Sequence, residues 1–196
     1  LCVVCDKHVN ARGNILEYRF YNAVMRSHAR LTYNAVAAML VGKDAALRQR
    51  YAALVPNLED LYTIYNILHG ARAKRGAVDF DLPETRIIYN EQRKIERIVP
   101  VKRNDAHRLI EECMLAANVC AAEWLTQRKM AIPYRIHAGP TPEKLANLRD
   151  FLFEFGLKLG GGDEPQASDY AKLLANVEGR PDTRLIQAVM LRSLSQ

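Results

Sequence analysis

The stretch RNDAHRLIEECMLAANVCAAEWL, residues 103–125, sets polar side chains along the margin of an otherwise apolar helical face. Ile110, Cys113, Met114, Ala117, Ala121, Trp124 and Leu125 recur at helical spacing and predict a buried stripe. Asn104, His107, Glu111 and Asn118 fall in a narrow band beside it. Glu111 could accept a hydrogen bond from a ribose 2′-hydroxyl, the group that separates RNA from DNA. A buried carboxylate without a partner is costly, so Glu111 needs solvent, a partner or a ligand. Asp105, Glu112 and Glu123 lie on the opposite side and are expected to face solvent. Tyr33 in HARLTYNAV and Phe80 in VDFD are aromatics in polar company. Such rings can stack on bases of any sequence, at about 1–3 kcal/mol per base. His107, Arg108 and Asn118 are candidate supporting residues. Plainer roles stay open for all three principal candidates: Tyr33 as an amphipathic core residue, Phe80 as a strand anchor, Glu111 as a surface carboxylate.

Other chemistry finds little footing. The sequence has no glycine-rich phosphate loop, no H-E-x-x-H and no G-x-S-x-G. Glu59-Asp60, Asp79-Phe80-Asp81 and Asp163-Glu164 do not supply the three or four close carboxylates of a two-metal nuclease. His8, His28, His69, His107 and His137 are scattered and read as structural. Cys2 and Cys5 form a C-x-x-C, but Cys113 and Cys120 are seven apart on a helix, which is not zinc spacing. The motif also lies in an apolar run, not at a helix start that would stabilise a thiolate. Neither a catalytic centre nor a metal site is expected within the chain itself.

The formal net charge is +6, and residues 72–108 hold ten Lys/Arg against six Asp/Glu. That local excess suits a phosphate backbone, although a solvated basic face would look the same. With 49% apolar and 26% charged residues the composition is that of a globular protein. No run approaches the roughly 20 apolar residues of a membrane span. LCVVCDKHVN lacks the features of a signal peptide, so a cytoplasmic setting is the default. The sequence starts at Leu and stops inside the amphipathic DTRLIQAVMLRSLSQ, which reads as a section of a longer protein.

The elements that must position these residues follow from periodicity and turn chemistry. LCVVCDKHVN and NILEYRFYNAVM form a hairpin around NARGN, and RIIYNEQRKIERIV a second around NEQR. Ser27 is the expected cap of HARLTYNAVAAMLV. Asp44 opens a further helical region, divided near Pro56, with Leu58, Leu61, Ile64, Tyr65 and Leu68 as its apolar stripe. Gly76 ends it, and GAVDFDLPE is extended. After the 103–125 helix come an extended piece around IPYRIH, a helix opened by Thr141-Pro142-Glu143, the loop GGGDEP, and helices near 165–178 and 181–195. The expected class is α+β, mostly helical with two β-hairpins.

HARLTYNAV, LHGARAKRGAVDFD and RNDAHRLIEECMLAANVCAAEWL resemble successive blocks of the RNB catalytic domain in the ribonuclease II and ribonuclease R exoribonucleases. The likeness is collinear along the whole chain and includes the opening LCVVC, IHAGP and MLRSLSQ; RNDAHRLIEECM and MLRSLSQ look more like the ribonuclease R branch. The resemblance implies that residues 1–196 are a single partial domain, the central part of an RNB domain. It implies processive 3′-to-5′ hydrolysis of single-stranded RNA to nucleoside 5′-monophosphates, with the strand threading down a channel to a magnesium site. In that family the position of Phe80 stacks on terminal bases, and those of Tyr33 and Glu111 contact RNA and select ribose. Asn118 falls on the Asn of an E-E-x-M-x-x-A-N pattern, where it organises the helix. The family's metal-binding aspartates belong to an earlier segment and its essential arginine to a later S-P-I-R-R-type segment. By this resemblance the chain alone is expected neither to hydrolyse RNA nor to bind magnesium. The parent is expected to be monomeric, and an isolated piece prone to self-association through uncovered edges. Two alternatives remain at this point: a non-catalytic RNA-binding homologue, and a helical protein-interaction module.

Overall fold

Both hairpins are built around an asparagine. Asn10 Oδ1 accepts from the amides of Arg12 (2.9 Å) and Asn14 (3.0 Å), turning β1 (Cys2–Val9) into β2 (Ile15–Ala23). Asn90 Oδ1 accepts from Gln92 (3.0 Å) and Lys94 (2.9 Å), turning β3 (Glu84–Tyr89) into β4 (Ile95–Val101). A short amide side chain that mimics a backbone turn is what favours Asn there. Three residues on, each turn needs a positive φ, met by Gly13 (78°) and by Arg93 (59°). Gly13 has a second reason, since a Cβ there would lie 2.4 Å from the Ala71 Cβ.

The computed structural model describes residues 1–80, 84–134, 136 and 138–195. Parts of GAVDFDLPE (81–83) and of IPYRIH (135 and 137, the latter His137) lie outside the described residues. Among those described, the order is β1, β2, α1 (Tyr33–Leu40), α2 (Ala45–Arg50), α3 (Val55–Lys74), β3, β4, α4 (Asp105–Gln127), α5 (Pro142–Glu154), α6 (Ala167–Val177) and α7 (Thr183–Ser193). This is the α+β arrangement expected, with each pair of strands antiparallel. None of the described helices is long and apolar enough to cross a membrane. The chain divides into two compact units, Leu1–Ala71 with Arg103–Pro133, and Arg72–Lys102 with Tyr134–Gln196.

In the first unit α1, α3 and α4 share a core of Leu40, Tyr65 and Leu109, flanked by Val36, Leu58, Leu61, Tyr62 and Cys113. Strand β2 meets α4 where Phe20 sits edge-on to Trp124, centroids 6.0 Å apart. Helix α1 begins later than expected. Thr32 caps it by accepting from Ala35 N at 3.3 Å, because Ser27 spends its hydroxyl on the Ala29 carbonyl within the preceding loop. Asp44 caps α2, accepting from Leu47 N at 2.9 Å. Pro56 sits in the first turn of α3, where a missing N–H is harmless, just after the break at 51–54. Ile64 is exposed and leaves the stripe assigned to it.

The second unit packs α5, α6 and α7 around Leu145, Leu148, Leu152, Leu159, Tyr170, Leu173, Val177, Ile186 and Met190. Thr141 caps α5, with Pro142 at its first position. Gly76 turns at φ 76° against α6, where a Cβ would lie 2.6 Å from that of Ser168. The β3–β4 hairpin turns Ile87, Ile98, Tyr89 and Ile95 to solvent, with Ile87 opposite Ile98 and Tyr89 opposite Ile95.

Candidate nucleic-acid interface

Helix α4 is a two-faced element, and its faces differ from the sequence expectation. The buried stripe is Ala106, Leu109, Glu112, Ala116 and Cys120, while Ile110, Met114, Leu115 and Val119 are exposed. Glu112, expected in solvent, is only 4% exposed. Its carboxylate lies 3.4 Å from His69 Nδ1, and the His69 ring stacks on Tyr65. Asp105, also expected in solvent, is half-buried and accepts from the Tyr62 hydroxyl at 2.8 Å and from Arg108 at 3.3 Å. Glu123 is exposed as anticipated. The physical reason is register. Tyr62 and His69 are seven apart on α3, Asp105 and Glu112 seven apart on α4, so two turns of one helix present donors to two turns of the other. These carboxylates are structural, which turns the remaining margin of α4 outward.

That margin begins at the helix cap. Asn104 Oδ1 accepts from Ala106 N (3.1 Å) and His107 N (3.3 Å). His107 answers with Nδ1, 3.2 Å from Asn104 N and 2.8 Å from Asn104 Oδ1, contacts that select opposite tautomers of the ring. Asn104 Nδ2 donates to Asn34 Oδ1 at 3.3 Å, joining the first turns of α4 and α1. Beside that bond, the Tyr33 ring stacks on His107 with centroids 4.0 Å apart and planes 21° apart. Tyr33 remains 46% exposed, so one ring face is covered and the other open. One turn beyond His107, Glu111 is half-buried and paired with Arg103 at 3.3 Å. Asn118 follows seven residues later on the same face and is exposed. The structure therefore brings together Tyr33, His107 and Asn104, and aligns Glu111 and Asn118 along one margin, with Arg108 turned to Asp105.

Phe80 belongs to the other unit. It is half-buried against the α5–α7 core and lines a cleft of about 1080 Å³ with Val78, Gly139, Pro140, Tyr170 and Leu194. Sequence reasoning missed Asn34, Arg103, Tyr62 and His69 as partners. The seven-residue step shared by Tyr62/His69 and Asp105/Glu112 was a usable signal; nothing local marks Asn34 or Arg103.

Chemically, an exposed aromatic ring stacked one helical turn from a carboxylate suits a sugar or base, with the positive ends of two helices at the same place. Among the described residues no group of three or more His, Cys, Asp or Glu side chains could hold a metal ion.

Comparison with known proteins agrees along the full length. The RNB domain matches residues 1–196. The chain is 52% identical over 196 residues to ribonuclease R of Vibrio cholerae serotype O1, covering all of this chain and 24% of that protein. It is 46% identical to ribonuclease R of Escherichia coli strain K12, again covering all of this chain and 24% of that protein. The chain thus spans about a quarter of the length of these relatives. Its fold superposes on Mycoplasma genitalium RNase R in complex with ribose methylated single-stranded RNA, with a TM-score of 0.89 at 27% identity, over 99% of this chain and 30% of that one.

Proposed function

The chain belongs to the RNB-domain family, and on that premise we propose that it is the interior section of a ribonuclease R-like exoribonuclease. The intact protein degrades single-stranded RNA processively from its 3′ end in the cytoplasm, releasing nucleoside 5′-monophosphates, and acts as a monomer. This section contributes channel wall. The observation that carries the reading is the open face of Tyr33 beside the outward margin of α4, in a chain alike along its whole length to ribonuclease R.

Each side chain has a defined task in this reading. Tyr33 packs its free face against the terminal ribose, and Glu111 accepts the 2′-hydroxyl proton in a hydrogen bond. Arg103 holds that carboxylate in place, at 3.3 Å. Phe80 stacks on a base near the 3′ end, and Asn118 steadies the helix face that the strand passes. Arg108 and His107 support the same turn. Magnesium would serve the intact enzyme by polarising the scissile phosphate. The residues described do not fit such a site, so no part of hydrolysis is assigned to them.

The test uses the intact protein and compares hydrolysis of matched oligoribonucleotides and oligodeoxyribonucleotides. A hydrogen bond to a charged acceptor is worth about 1.5–3 kcal/mol, so Glu111→Ala should reduce the RNA preference by about tenfold or more. Tyr33→Ala should relax it too, with residual hydrolysis retained in both. Full discrimination in both variants would overturn the assignment.

A further inference from the structure

We propose that His107 is a positioning residue: its imidazole fixes the plane of the Tyr33 ring and thereby sets how sharply the site distinguishes ribose from deoxyribose. The proposal rests on the reading above that Tyr33 faces the sugar. It goes beyond that reading by giving selectivity to a residue that itself touches no nucleotide.

Tyr33 is the first residue of the eight-residue helix α1. A side chain at a helix start lacks the preceding turn that would restrict its rotamers, and an exposed tyrosine there would sample several. The contact that narrows the choice is the stack on His107, centroids 4.0 Å apart and planes 21° from parallel. A second ring at that distance on one side makes the open face of Tyr33 a fixed platform. Fixed platforms discriminate better than mobile ones, because the ordering cost is met before the ligand arrives.

His107 can fix another ring only if it is fixed itself. As the third residue of α4 it closes a reciprocal cap with Asn104, with its Nδ1 3.2 Å from the Asn104 amide. Ser, Thr, Asp or Asn followed by Glu or Gln is the usual pairing for such a cap. In the tautomer that carries its proton on Nε2, histidine in the third position supplies the same acceptor and adds a flat ring. Asn104 then reaches Asn34, the neighbour of Tyr33, at 3.3 Å. The first turns of α1 and α4 are therefore joined twice, by an amide bond and by a ring stack. The amide bond sets the separation of the two turns, leaving the stack to set the angle of Tyr33.

The two duties of His107 separate by substitution, in the intact exoribonuclease. His107→Gln keeps an acceptor for the cap and removes the ring; His107→Phe keeps a ring and removes the acceptor. Melting temperature and the ratio of kcat/KM on matched RNA and DNA oligonucleotides are measured for both. The expected result is a crossover. His107→Gln melts close to the wild type but loses about tenfold in the RNA-to-DNA ratio, a modest fraction of what a full ångström of misplacement can cost. His107→Phe melts lower and keeps the ratio. Wild-type selectivity in His107→Gln overturns the proposal, as does a ratio that follows melting temperature in both variants. Tyr33→Ala run alongside tells the two readings apart. If it relaxes selectivity and His107→Gln does not, the positioning role alone falls; if it changes nothing, the sugar-facing role of Tyr33 falls and takes His107 with it.

Discussion

Tyr62→Phe removes one hydroxyl and almost no volume, which isolates the bond that anchors the first turn of α4 to α3. That hydroxyl donates to an Asp105 carboxylate oxygen at 2.8 Å. Hydrogen bonds to an ionised acceptor contribute about 1.5–3 kcal/mol. Both partners are half-buried, and Arg108 still serves the other oxygen at 3.3 Å, so the loss at neutral pH should be about 1–2 kcal/mol. For a chain of 196 residues that is a fall in melting temperature of about 2–8 °C. Alkaline pH adds a signature that packing defects lack. The Tyr62 phenol is pushed from 10.0 up to about 12, first by its hydrogen bond to Asp105, then by burial. The folded chain thus holds this proton more tightly than the unfolded chain. The stabilisation is complete below the unfolded value near 10.0 and is lost as pH rises through about 12. Urea titrations of wild type and Tyr62→Phe across that range should therefore converge as pH rises. A gap that stays constant from neutral pH upward, or no gap at neutral pH, would refute the argument.

Two further outcomes follow from burial. Leu152 has no exposed surface in the α5–α7 core, and Leu152→Ala should cost about 3–5 kcal/mol, read as faster hydrogen exchange of amides in α5, α6 and α7. Phe80→Ala should weaken binding of short oligoribonucleotides by about fivefold or more, from lost stacking of about 1–3 kcal/mol. It should also destabilise the core on which the ring leans. Phe80→Leu should recover the stability without the binding, and unchanged binding in both variants would count against stacking.

Elements were legible wherever local chemistry decides them. The Asn turns, the helix starts at Asp44 and Thr141, the Gly76 stop and the existence of a helix over 103–125 all depend on a few neighbouring residues, and all appear as expected. Expectations failed where local partners compete for one side chain, or where a distant partner decides. Ser27 and Thr32 are both competent caps, and the loop's demand for the Ser27 hydroxyl chose between them. Helical spacing could not tell which of two adjacent apolar stripes on α4 is buried. The choice fell to Tyr62 and His69, which draw Asp105 and Glu112 inward and leave Met114 and Val119 outside. The margin bearing Glu111 and Asn118 was visible in the sequence because polar residues at helical spacing beside apolar ones need no tertiary knowledge. The Tyr33–His107 stack was not, since residues 74 apart in the chain carry no shared local signal.

Asn104 has consequences out of proportion to its size. Its oxygen serves two amides and its nitrogen a third group on another helix, all from one side chain with a single methylene. Aspartate offers the oxygen but no donor; serine and threonine end before they could span to Asn34; glutamine adds a methylene that carries the amide past the cap. Position 104 is consequently a one-letter position, where substitutions harmless at an ordinary cap would loosen a helix start and a neighbouring helix together. Any library built around the Tyr33–His107 stack should hold this asparagine constant and vary the surrounding letters instead.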